Sequence, residues 1–316
     1  MRNISFLSDY GTKDEFVGVV KSVILSIAPD VQITDITHNI ARHDIRAGSL
    51  ALARASQYLN PGVVLAVVDP GVGSSRRAVA VELSTTSSEG YPSVLIGPDN
   101  GLLAPAVGLL GGVSRAVSLT NTDFQLPSAG ATFAGRDIFA PAAAHLCAGI
   151  AFEELGEDIP VATLMPAVVP SAQIQSDQIV AEILWIDSFG NAQLNIGLDD
   201  ISPLGERFAL KILGLPEGAT QQPVFLQRVG AQSSDPSAFG KQASTRPLVA
   251  SLVTSYDQIA SRDIALVIDS YAMISIAMRQ QSAASELSLE EGMSVVMSPL
   301  TGDLVELPTR FSQRKS

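Results

Sequence analysis

The sequence has a single cysteine, Cys147, in 316 residues. That excludes an intrachain disulfide and any cluster of thiolate metal ligands. Histidine is nearly as scarce, with His38, His43 and His145 the full set, and neither H-E-x-x-H nor another clustered ligand pattern occurs. "DITH" (35–38) offers two candidate ligands and no more, so no metal site is expected. His145 and Cys147 both lie in the Ala-rich stretch "APAAAHLCAG" and read as packed helix residues. The serine-hydrolase elbow G-x-S-x-G is missing as well. Basic charge is short: 20 Lys and Arg against 32 Asp and Glu give a formal net charge of −12. Such a surface is poorly suited to neutralising phosphates, which argues against a nucleic-acid partner. No apolar run approaches the roughly 20 residues that span a bilayer, and "MRNISFLSDYGT" lacks the apolar stretch of a signal peptide. The expectation is a cytoplasmic protein with no membrane partner.

What is present is a large apolar fraction, 46%, against 16% charged residues, enough for a sizeable core. In the first half, short apolar runs alternate with helical patterns. "ISFL" (4–7), "VVLAVV" (63–68) and "SVLIG" (93–97) read as strands. "EFVGVVKSVILSIA" (15–28), "DIRAGSLALARASQYL" (44–59) and "DIFAPAAAHLCAG" (137–149) read as helices. Continuous apolar strands separated by helices predict an α/β domain with a mainly parallel sheet, spanning 1–160. Residues 161–177 are rich in proline and lack periodicity, which reads as a linker. Beyond it, "QIVAEILWID" (178–187), "NAQLNI" (191–196), "RFALKIL" (207–213) and "DIALVID" (263–269) alternate as β segments. They predict a smaller β-rich, barrel-like C-terminal domain over 178–316. "GAQSSDPSAFGKQAST" (230–245) reads as an exposed loop.

Three aspartates follow predicted strands directly: Asp9, Asp69 and Asp99. In open parallel sheets, ligands gather beyond the carboxyl ends of the strands. One aspartate there is ordinarily a turn or helix cap, but three on one rim make a pocket the better reading. Carboxylates suit ribose hydroxyls or a cation. The glycines of "DPGVGSSRR" (69–77) make a tight loop, although it carries neither G-x-G-x-x-G nor a Walker lysine. The loop brings Arg76 back toward Asp69, either as part of a site or as an ordinary surface ion pair. "ATFAGRDIFAP" (131–141) forms a second corner, where Ala134 has no side chain able to move a proton.

Taken together, "FLSDYGTKDEFVGVVKSVI", "DITHNIARHDIRAGSLAL", "VVDPGVGSSRR", "GPDNGLL", "TFAGRDIFAPAAAHL" and "IDSFGNAQLNI" resemble the S-adenosyl-L-methionine hydroxide adenosyltransferases, relatives of fluorinase and chlorinase. The resemblance implies an N-terminal α/β domain, a small C-terminal β-barrel and a homotrimer. S-adenosylmethionine would lie between the N-terminal domain of one subunit and the C-terminal domain of its neighbour. Water or hydroxide would attack the ribose C5′, giving adenosine and L-methionine without a further cofactor. By position, Asp9 would hold the ribose hydroxyls, with Asp14, Glu15 and Phe16 lining the pocket. Asp187 would meet the methionine ammonium, and Phe189 and Asn191 would flank the adenine. Ser270, Tyr271 and the backbone near Met278 would complete the site, although Asp269 and Ala272 stand where the family usually has Asn and Gly.

An Asp-Arg-His triad surrounds the nucleophilic water in such enzymes. Asp69 and Arg76 match its first two members, and Ala134 stands where the histidine would be. The resemblance therefore implies a hydrolase whose activity is reduced or lost, since a positioned base contributes roughly 10²–10⁴ in rate. A non-catalytic protein that binds S-adenosylmethionine or adenosine is the alternative. A halogenase ranks below both, because the Asp69 carboxylate would repel a halide.

Overall fold

The computed structural model describes residues 3–86, 92–167, 169–214 and 248–300. It divides into two compact units, the first running through Val169 and the second beginning at Pro170. The expected loop at 230–245 lies outside the described residues.

The first unit is built on a seven-stranded sheet in the order β2-β1-β3-β5-β4-β6-β7. β1 (Asn3–Ser8), β2 (Gln32–Thr37), β3 (Val63–Val67) and β5 (Pro92–Pro98) form a parallel block. β4 (Ala78–Thr86), β6 (Val113–Ser118) and β7 (Glu157–Ile159) extend it through antiparallel pairings. β1 and β3 are buried at every position, which is why they read as unbroken apolar runs rather than alternating ones. Helices cover both faces. α1 (Phe16–Ile27) and α4 (Ala140–Ala148) share one core with Ile4, Phe6, Leu65 and Ile96. α2 (Ile45–Ser56) and α3 (Ala104–Leu109) pack together, and a separate core joins Ile45, Leu52 and Ala106 to Leu7, Val64 and Leu95. Asp44 caps α2, its side chain accepting from the Ala47 amide at 2.8 Å, and this satisfies one of the free N–H groups of the first turn.

The helix expected over 137–149 starts differently. A π-helical turn, Gly135–Phe139, precedes α4, and Gly149 ends α4 in the left-handed conformation with φ +107°. Pro141 lies just after the π-helical turn, as the second residue of α4. His145 packs its ring 5.0 Å from that of Phe124, and burial lowers its pKa. Cys147 is partly buried against the α1–α4 core, and burial pushes its thiol up to about 11.

Within 161–177, Val161–Thr163 makes a 3-10 turn and β8 (Gln173–Ile174) pairs with β9 (Ile179–Ile186). The second unit is a closed barrel of seven strands. Around it run β10 (Ala192–Gly197), β14 (Met273–Met278), β13 (Ile264–Ile268), β12 (Leu248–Val253), β11 (Arg207–Leu213), β15 (Ser294–Pro299) and β9, and the β10–β9 pairing closes the ring. Only β12 and β13 are parallel. Ile179, Ala181 and Ile183 on β9, with Phe208 and Leu210 on β11, point into the barrel core, as the two-residue period of a strand requires. Two short helices, α5 (Leu198–Ile201) and α6 (Ala283–Leu287), complete the unit. No helix among the described residues is long and apolar enough to cross a membrane.

Candidate active site

β1, β3 and β5 are neighbours in the parallel block, so Asp9, Asp69 and Asp99 emerge at one edge of the sheet. They do not serve one purpose. Asp99 is taken by architecture: it pairs with Arg77 (Nε 2.8 Å) and accepts from the Met165 amide at 2.8 Å. Asp99 therefore does not join the rim site that the strand pattern suggested. Arg77 spends its remaining donors on Thr163.

Asp69 has a different partner. The loop 69–77 folds back so that Arg76 grips Asp69 with both ends of its guanidinium, Nε to Oδ1 at 2.9 Å and Nη2 to Oδ2. The side chains are 6% (Asp69) and 14% (Arg76) exposed, so this is not the loose surface pair that contributes little. Its fork geometry fixes both groups. The Arg76 guanidinium also lies 5.1 Å from the centre of the Phe139 ring, on the π-helical turn, so the two corners singled out in the sequence meet here.

Ala134 immediately precedes that turn and is 8% exposed, its methyl in the α1–α4 core. Phe133 meets Phe16 and Tyr10 edge to face, with ring centres 5.1 and 5.7 Å away. Arg136 pairs with Asp137 (Nε to Oδ1, 2.6 Å) and lies over Phe133 at 5.2 Å. These contacts hold the turn without reaching Asp69. π-Helical turns of this kind recur at functional sites because they re-aim the residues they carry.

Asp9 accepts the His43 amide at 2.9 Å through Oδ2. Behind it, Ser8 Oγ meets His38 Nδ1 at 2.8 Å, and His38 Nε2 lies 3.1 Å from Asp35 Oδ1. Lys21 holds the other Asp35 oxygen at 2.6 Å. Burial acts to raise the Asp35 carboxyl, but hydrogen bonds from Lys21 and His38 outweigh it and hold the group low. Ser8 is fully buried and His38 is 5% exposed, so the "DITH" pair serves to fix the β1 corner. Among the described residues no group of three or more His, Cys, Asp or Glu side chains is placed to hold a metal. Asp14 and Glu15 are exposed at the start of α1, and Glu15 lines an open groove along that helix with Gly18, Ser22 and Ser26. Only Phe16 of the three joins the aromatic group at Tyr10 and Phe133.

In the barrel unit the expected residues fall on two loops. Asp187 Oδ1 accepts from the amides of Phe189 and Asn191, both at 2.9 Å, and Oδ2 from Asn191 Nδ2 at 2.8 Å. This turn leaves Phe189 79% exposed. Gly190 sits at φ +84°, with Ser282 where a β-carbon would go, so only glycine closes this turn. Asp269 accepts from the Tyr271 and Met273 amides at 2.8 and 3.0 Å, from Gln193 Nε2 at 2.6 Å and from Ser275 Oγ at 3.1 Å. Ser270 is exposed, the Tyr271 ring lies 6.5 Å from Trp185, and Met278 is buried at the end of β14. Burial first, then the carboxylates of Asp187 and Asp269, raise the pKa of Tyr256. Both loops are thus felt by one phenol.

Residues 4–156 match the model of the SAM hydroxide adenosyltransferase N-terminal domain, and residues 181–296 match that of the C-terminal domain. The chain belongs to the SAM hydroxide adenosyltransferase family. It is 43% identical over 201 residues to the (R)-S-adenosyl-L-methionine hydrolase of Salinispora tropica, a match covering 64% of this chain and 74% of that protein. The Thermus thermophilus enzyme of the same name is 44% identical over 61% and 73% of the two chains. A fluorinase of an Actinoplanes species is more distant, at 26% over 68% and 78%. Among solved structures, an uncharacterized conserved protein from Thermotoga maritima aligns with a TM-score of 0.75 at 27% identity, covering 93% of this chain and 99% of that one.

Tyr10 is a further residue at this corner that the sequence pattern does not single out. It lies between Asp9 and Gly11 in "SDYG", and its ring meets those of Phe16 and Phe133. Burial, then the charges of Asp9 and Asp69, push its pKa far above the usual phenol range, with Arg76 opposing them. The signal was adjacency to Asp9, but an aromatic residue in that place reads equally well as packing.

Proposed function

We propose that this chain is an S-adenosyl-L-methionine hydrolase, converting S-adenosylmethionine and water to adenosine and L-methionine. The observation that carries the reading is the bidentate Asp69–Arg76 pair on the strand rim, beside the turn that follows Ala134. Hydrolases of that name at 43–44% identity support it. The sulfonium is already a good leaving group, so the site need supply neither an acid nor a cofactor. It must hold water behind C5′, in line with the C–S bond and stripped of surplus solvent. Arg76 stays protonated and serves as a donor, which leaves Asp69 as the acceptor for the proton that water gives up.

Asp9, Asp14, Glu15 and Phe16 are assigned to the ribose side. Asp187, Phe189, Asn191, Ser270, Tyr271 and the Met278 backbone are assigned to the methionine and adenine side. The same reading includes a cytoplasmic homotrimer, and light scattering on the purified protein tests its mass. Ala134 takes the place of the third triad residue, so turnover is slower than in a chain with histidine there. The Asp69 carboxylate disfavours a halide nucleophile in this pocket.

The test is incubation of purified protein with S-adenosylmethionine, followed by chromatography of products and of ligand released on denaturation. Catalytic formation of adenosine and methionine supports the hydrolase. Intact S-adenosylmethionine retained stoichiometrically, with no product, would replace it with a binding protein.

A further inference from the structure

The Tyr10 hydroxyl rests directly on the backbone of Gly135: a β-carbon built on Gly135 would overlap it and come within 3.1 Å of Cζ. The residue before Gly135 is Ala134, which offers no polar side-chain atom. Phe16 and Phe133 brace the phenol ring at 5.8 and 5.7 Å. Asp9, Asp69 and Arg76 all act on the hydroxyl electrostatically. The corner is fixed from behind, because the Gly11 amide donates to the His38 carbonyl at 2.7 Å and the Tyr10 amide to Ser8 Oγ at 3.4 Å. The phenol thus places a polar atom beside Ala134, a position whose own side chain has none.

We propose that the Tyr10 hydroxyl is the hydrogen-bond donor that positions the attacking water beside Asp69 and Arg76. The proposal rests on the hydrolase reading and extends it. The water oxygen bonds to C5′ while the C5′–S bond breaks. Its electron pair goes to sulfur, which leaves as the neutral thioether of methionine. The surplus proton of the water passes to Asp69 and then to solvent. Tyr10 keeps its proton throughout: burial first, then the carboxylates of Asp9 and Asp69, make the phenolate costly, so the group serves as donor and not as base. Gly135 is required because any side chain there would displace the phenol.

Tyr10→Phe tests this, since it keeps the ring packing and removes only the donor. Its kcat for S-adenosylmethionine hydrolysis should fall by about 10–100-fold, the loss expected when the nucleophile is no longer held in line. Its Kd for S-adenosylmethionine, from titration calorimetry, should change by less than about threefold, the split expected when a group orients the nucleophile and does not hold the substrate. The kcat–pH profile should keep its shape, because no ionisation is removed. A Tyr10→Phe kcat within twofold of the unmutated chain overturns the proposal and leaves the hydrolase reading intact. Absence of turnover above the buffer blank in the unmutated chain, with ligand still bound, overturns the hydrolase reading and the proposal with it. If Tyr10→Phe does not fold by circular dichroism, Gly135→Ala decides: it keeps the phenol and pushes it off the turn, and an unchanged kcat there also overturns the proposal.

Discussion

In the N-terminal unit Asp69 meets a guanidinium seven residues away across a tight loop, whereas in the barrel unit Asp187 and Asp269 meet amides and side chains that shape their own hairpins. The first arrangement sets two opposite charges side by side, in a place screened from water, with a phenol and an aromatic turn against them. The second uses a carboxylate as a local template, its oxygens accepting from amides and side chains of the turn and the adjoining strands. Both are aspartates directly after a strand, and the neighbourhood alone decides whether the carboxylate pairs with a charge or is spent on its own turn. Asp99 makes the same point within the first unit, since Arg77 and the Met165 amide absorb it completely enough to remove it from the rim.

Removing Arg76 should break the comparison most severely. Arg76→Ala leaves Asp69 charged and nearly buried without a partner, and losing one member of such a pair costs about 3 kcal/mol or more. Chemical denaturation should show that loss together with abolished turnover; a change below 1 kcal/mol would return the pair to the class of surface contacts. Asp269→Ala should cost somewhat less, about 2 kcal/mol, because the buried amide of Gln193 and the Ser275 hydroxyl lose their acceptor. Its defect should appear in the melting of the barrel, and a mutant that melts like the parent would show that the loop does not depend on this carboxylate.

Ala134→His sharpens the comparison on the chemical side. It should raise hydrolysis by about tenfold or more, the lower range for a positioned base, and progress curves under saturating substrate measure it directly. No gain in a folded mutant would remove position 134 from the catalytic group. The smallest effect belongs to Ala272, held at φ +59° beside Asp269. Ala272→Gly relieves a left-handed alanine and should stabilise the protein by about 0.5 kcal/mol, offset in part by the freer unfolded chain. A fall in the melting temperature would show that the methyl is needed for packing.

Much of this fold is legible in the sequence. β3 and β5, α1, α2 and the barrel strands β9, β10, β11 and β13 lie where their apolar patterns put them, because a strand buried on both faces and an amphipathic helix each leave their own period. β4, β6 and β7 were not read from the pattern. "AVAVELSTT" mixes small, apolar and polar residues, and β7 has only three, so neither carries a period long enough to distinguish. The π-helical turn at 135–139 leaves no signal either: its residues are compatible with the first turn of an ordinary α-helix.

The sequence by itself determined the two-part plan, the lack of an intrachain disulfide or a thiolate metal cluster, and the loop that returns Arg76 to Asp69, because these follow from composition, periodicity and the reach of a short glycine-rich stretch of chain. Only the tertiary structure decided that Asp99 is spent on Arg77 and that Tyr10 stands against Gly135. Those outcomes depend on which strands become neighbours and which side chains then compete for one carboxylate or one gap, and no local stretch of sequence contains that competition.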